Sequence, residues 1–110
     1  MTQTRMQQLR QVAQMLRARD LARLGKLERQ RQELATRLGL LSTRMDMTED
    51  PALNAARLAH ASWAQAQRIG LNQALARQTV LTLDQKARTA RSVGRAEALD
   101  KLAQDARRKR

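Results

Sequence analysis

The chain contains no cysteine, no phenylalanine and no tyrosine, and it has one proline and one tryptophan in 110 residues. Without cysteine there is no disulfide framework, no thiol nucleophile and no cysteine-based zinc site, and a reducing cytoplasm is the compatible compartment. A core of ordinary composition is excluded too. Domains of this length fill their interiors with Phe, Tyr, Ile and Val, yet Trp63 is the sole aromatic residue and Ile69 the sole isoleucine. The first twenty residues hold no apolar run of about seven, so they do not read as a secretory signal. No run approaches the roughly 18 apolar residues that would span a membrane.

What is present is helical. Nineteen Ala, seventeen Leu and eighteen Arg dominate the chain, and these residues form helices readily and favour strands little. About half A/E/K/L/R is a signature of long helices or coiled coils, so sheet folds are improbable. The one cluster of helix breakers is Asp46-Met47-Thr48-Glu49-Asp50-Pro51. Asp50 is suited to cap the free N–H groups of a following helix, and Pro51 is suited to its first position. Because a residue before proline avoids the α region, the preceding helix should end by residue 46. The expected fold is all-α: one antiparallel two-helix coiled-coil hairpin over residues 1–110, with a helix over 3–46, a turn at 47–50 and a longer helix over 51–108.

Two stripes carry this reading. In the first arm Leu24, Leu27, Leu34, Leu38, Leu41 and Met45 keep a spacing of three and four, with Arg31 as one polar member, which is a heptad seam. The step of eleven from Ala13 to Leu24, with Asp20 inside it, predicts a stutter in the supercoil. In the second arm the apolar stripe runs through Ala55, Ala59, Ser62, Ala66, Ile69, Gln73, Ala76, Val80, Leu83, Ala87, Ala90, Gly94 and Ala98. A seam of large residues facing one of small residues interdigitates closely.

A turn of about four residues makes the arms antiparallel neighbours whose paired numbers sum to about 97. That register places Gly25 near Gly70, a level expected to bend because each mid-helix glycine costs about 1 kcal/mol relative to Ala. It also leaves everything after Gly94 without a partner helix. From Lys86 onward there are nine basic and three acidic residues, half of the net charge of +12. This basic amphipathic end is either a solvated helix terminus or a docking element.

Candidate chemistry is sparse. His60 is the only imidazole, and neither a glycine-rich phosphate loop nor an HExxH pair is present. The acidic residues are scattered singly among Arg and Lys, where surface pairing explains them. No enzyme, no metal site and no cofactor is therefore expected. Trp63, one turn from His60, either covers the flank of the seam with His60 half exposed or anchors in a partner's pocket. The excess of positive charge keeps nucleic acid open as a partner through phosphate neutralisation, although the arginines are dispersed and no aromatic residues stack on bases. A homodimeric scaffold is a further alternative.

A cysteine-free helical hairpin with a longer second arm, a Trp early in that arm and the ending LDQKARTARSVGRAEALDKLAQDARRKR resembles the family of the flagellar export protein FliJ and its relatives in type III secretion. The resemblance covers nearly the whole chain and is one of format. It implies a stalk linking a hexameric export ATPase to an export gate protein, cytoplasmic or peripheral to the inner membrane. The contact residues expected for such a partner are Met6, Leu9, Leu99 and Leu102, with Arg107, Arg108, Lys109 and Arg110 steering toward acidic surface.

Overall fold

The computed structural model of the chain describes residues 3–109 and is all-α. Two helices, α1 (Gln3–Leu40) and α2 (Pro51–Arg108), account for most of it, and the described residues include no strand. No described helix is long and apolar enough to cross a membrane.

The start of α2 follows from local chemistry. The Ala52 N–H donates to the Asp50 carboxylate at 3.0 Å, and the Asn54 N–H closes the first turn on the Asp50 carbonyl at 3.0 Å. Asp50 is thus the cap and Pro51 the first helical residue. The end of α1 departs from expectation, since the helix stops at Leu40 rather than near residue 46 and the connection spans residues 41–50. The last turn tightens where the Leu41 N–H reaches the Leu38 carbonyl. Beyond it, side chains of α2 take over the polar backbone groups. Asn54 exchanges two 2.7 Å bonds with the Thr48 backbone, and Arg57 donates to the Asp46 carbonyl at 2.7 Å. A backbone satisfied in this way has no need to remain helical.

The chain divides into two compact units, to which both helices contribute. The first joins residues up to Glu28 with those from Leu81 onward, and the second is Arg29–Val80. In the second unit the half-buried Leu34, Leu38, Leu41 and Met45 lie on one side. Ala61, the fully buried Ala64, Leu71 and Leu75 lie on the other. Gln30 bonds Gln78 at 3.0 Å and Arg31 bonds Thr79 at 3.2 Å.

In the first unit the covered positions of α2 are Thr82, Gln85, Thr89, Ser92, Ala96, Leu99 and Ala103, spaced by three and four throughout. Those of α1 include Met6, Arg10, Ala13, Asp20, Leu24 and Leu27. Arg10 reaches Asp100, whereas Asp20 reaches Gln85, Thr89 and Ser92, so partners descend along α2 as positions ascend along α1. Both units pair residues whose numbers sum to about 110.

This register corrects four expectations. The stripe from Ala55 to Ala98 is exposed throughout, and the buried face lies one position, about 100°, around the helix. Apolarity misled because alanine is a strong helix former that costs little when left in water, while Thr82, Gln85, Thr89 and Ser92 are buried. No stutter interrupts α1 at Asp20, which sits one heptad beyond Ala13 in a seam position. Gly25 falls in the first unit and Gly70 in the second, and both helices run through their glycines unbroken. The stretch after Gly94 is not unpartnered: Ala96 and Ala103 are buried and Asp100 is bonded to Arg10 and Gln14.

Candidate functional site

The first unit contains the most organised polar cluster of the described residues. Asp20 is buried at 6% exposure, and its carboxylate accepts a short hydrogen bond from the Ser92 hydroxyl and a 3.4 Å contact from Arg19. Its backbone carbonyl accepts from the Thr89 hydroxyl at 3.2 Å and the Gln85 amide at 3.4 Å, and Gln85 also donates to Thr89. The Ser92 hydrogen bond holds the Asp20 carboxyl below its ordinary range, with help from Arg19 and against the opposing effect of burial. No buried side-chain polar atom among the described residues lacks a partner. A buried charge tied down from several sides fixes which layers meet, which is the best-attested use of a polar seam position. Residue-by-residue apolar counting reads Asp20 as an interruption. The available signal was its heptad spacing from Ala13 and Leu27.

From this layer toward the start of α1 and the end of α2, the unit shows two unlike flanks. On one flank lie Gln7, Gln8, Gln11 and Gln14 with Arg10, Met15, Ala18 and Asp100, a glutamine-rich trough beside the 3.0 Å Arg10–Asp100 ion pair. The other flank is an apolar groove. Leu9, Val12, Ala13 and Leu16 come from α1, and Ser92, Arg95, Ala98 and Leu99 from α2. Val12 is 54% exposed and Leu102, one turn beyond Ala98, is 55% exposed.

The expected contact residues distribute unevenly. Leu9 and Leu99 line the groove, Leu102 is exposed beside it, and Met6 is half-buried in the seam. Arg107, Arg108 and Lys109 are exposed at the end of α2, and Arg110 lies outside the described residues. Trp63 belongs to the second unit, remote in sequence from that cluster. Its ring lies 5.6 Å from that of His60 and tilted to it, and both residues are exposed, so His60 is more open than the half-exposed position expected beside a Trp on the seam flank. Among the described residues no three His, Asp or Glu side chains gather at metal-ligand spacing. What the arrangement offers is surface: a greasy groove with cations near it, beside a glutamine-rich trough. No family model matches the chain, and no curated protein or solved structure matches it either.

Proposed function

We propose that the chain is an antiparallel two-helix coiled-coil hairpin serving as a non-enzymatic stalk or adaptor in a flagellar or type III protein export apparatus. It binds and stimulates the hexameric export ATPase and links it to the export gate, in the cytoplasm and peripheral to the inner membrane. The observation that supports this best is the bonding of Asp100 to Arg10 and Gln14. It sets the start of α1 beside the end of α2, so the docking element is a paired helical end rather than a lone helix. Heptad spacing on both sides of each unit, with partners descending along α2 as they ascend along α1, supports the coiled coil. Leu9, Leu99 and Leu102 supply apolar contact, and Arg107, Arg108 and Lys109 supply electrostatic steering.

Removing residues 96–110 would unmake the seam at Ala96 and Ala103, so point substitutions at exposed positions are the cleaner test. With the cognate export ATPase, the native chain raises ATP hydrolysis. The pair Leu9→Glu and Leu102→Glu abolishes that rise while far-ultraviolet circular dichroism stays unchanged. Absence of stimulation by the native chain, or full stimulation by the pair, contradicts the reading. Sequence-indifferent duplex binding that falls steeply with salt, and that the pair does not alter, would favour the nucleic-acid alternative instead.

A further inference from the structure

We infer that the apolar groove of the first unit is a docking site for an acidic amphipathic helix of a partner protein. The floor is Leu9, Val12 and Leu16 of α1 facing Ala98 and Leu99 of α2. Its α1 residues recur at intervals of three and four along one face, the pattern that receives an apolar helix stripe. From Leu9 to Leu16 the floor runs about 10 Å, the length of roughly two turns of a docked helix.

Charge chooses the occupant. Going on from Leu16 by helical steps of three and four, the next positions are Arg19 and Arg23; going back from Ala98 they are Arg95, Arg91 and Arg88. Arg95 itself lines the groove, and Arg19 and Arg88 each touch one carboxylate, on Asp20 and Asp84. Asp20 is turned inward onto Ser92. The flanks therefore carry more positive than negative charge and suit Asp and Glu beside the partner's apolar stripe. A second copy of this chain would bring a further net charge of +12 against the same arginines, which opposes self-association at this site. A nucleic-acid phosphate backbone would meet the arginines but leave Leu9, Val12 and Leu16 uncovered. Leu9 and Leu99 also serve the export-stalk reading, but the acidic helix follows from the groove and its arginines and requires no export ATPase.

The experiment uses the full chain and two fluorescein-labelled 18-residue amphipathic peptides with the same leucine stripe. One carries Glu on its polar face and the other Lys, and binding is read by fluorescence anisotropy. The acidic peptide binds at micromolar concentration and the basic one at least tenfold more weakly. Val12→Gln with Ala98→Gln weakens the acidic peptide at least fivefold, and Arg91→Glu with Arg95→Glu at least tenfold, with circular dichroism unchanged. Gln7→Ala with Gln11→Ala, on the opposite flank, has no effect. The inference is overturned if the acidic peptide does not bind, or if Val12→Gln with Ala98→Gln leaves binding intact and charge alone explains it. It is equally overturned if sedimentation shows a dimer that these substitutions dissolve, since the occupant is then a second copy.

Discussion

The second unit packs Leu34, Leu38, Leu41 and Met45 against Ala61, Ala64, Leu71 and Leu75, whereas the first buries an aspartate, a serine, two threonines and a glutamine before returning to Ala96, Leu99 and Ala103. Both follow the same spacing of three and four, so periodicity is common to them and chemistry is not. An apolar seam contributes burial, roughly 25 cal/mol for each Å² removed from water, but tolerates neighbouring registers. A polar layer contributes less and discriminates more, because Ser92, Thr89 and Gln85 all bond to Asp20 only when it lies opposite them. The groove and the glutamine trough lie next to that layer, in the unit whose alignment must hold for Leu9 to meet Ala98 and Leu99.

The contrast breaks most severely in the second unit. Ala64→Asp places an unpaired charge at a position with no exposure and should cost about 3 to 5 kcal/mol. Hydrogen exchange should show protection lost first within residues 29–80. Asp20→Ala has a smaller effect, lowering the melting midpoint on the order of 5 °C, because the Ser92 hydroxyl retains the Arg88 carbonyl as a partner.

The same residue sharpens the comparison through pH. Its carboxyl is depressed in the folded state, so its contribution is complete above the unfolded value, about 3.9, and is lost as the pH falls through the lower folded one. The native chain should therefore lose stability below about pH 4 by more than Asp20→Asn does, measured as denaturation midpoints across pH 2 to 7. Equal acid slopes for the two chains would show that the layer carries no linked proton.

What the sequence disclosed follows the range over which each signal acts. Asp50 and Pro51 announced the start of α2 because capping is settled within one turn. Leu24 to Met45 announced a seam because large apolar residues have few other places to go. The buried face of α2 was not legible, since Gln85, Thr89 and Ser92 find their acceptors inside on Asp20, a fact held 65 to 72 residues away. The end of α1 was hidden for a like reason, because Asn54 and Arg57 reach back to hold residues 46 and 48. The apolar members of the candidate site, Leu9, Leu99 and Leu102, were legible as residues. Their setting was not, because it depends on the register.

Two lesser effects complete the comparison. Asp50→Ala removes the α2 cap in the second unit and should cost about 1 kcal/mol, seen as a lower urea midpoint. Gly94→Ala, at an exposed helical position of the first unit with nothing within 4 Å of an added Cβ, should stabilise by about 0.5 to 1 kcal/mol.

The register itself is the central claim, and the cysteine-free sequence allows it to be measured directly with paired spin labels. Double electron–electron resonance on Arg10→Cys with Asp100→Cys should give the shorter distance. The pair Arg10→Cys with Ala87→Cys, offset by 13 residues, should be longer by on the order of 10 to 20 Å. If the second pair is instead the shorter one, the residues sum to near 97 and not 110. The end of α2 would then stand unpaired, and the polar layer, the groove and the docking end built on it would all be misplaced.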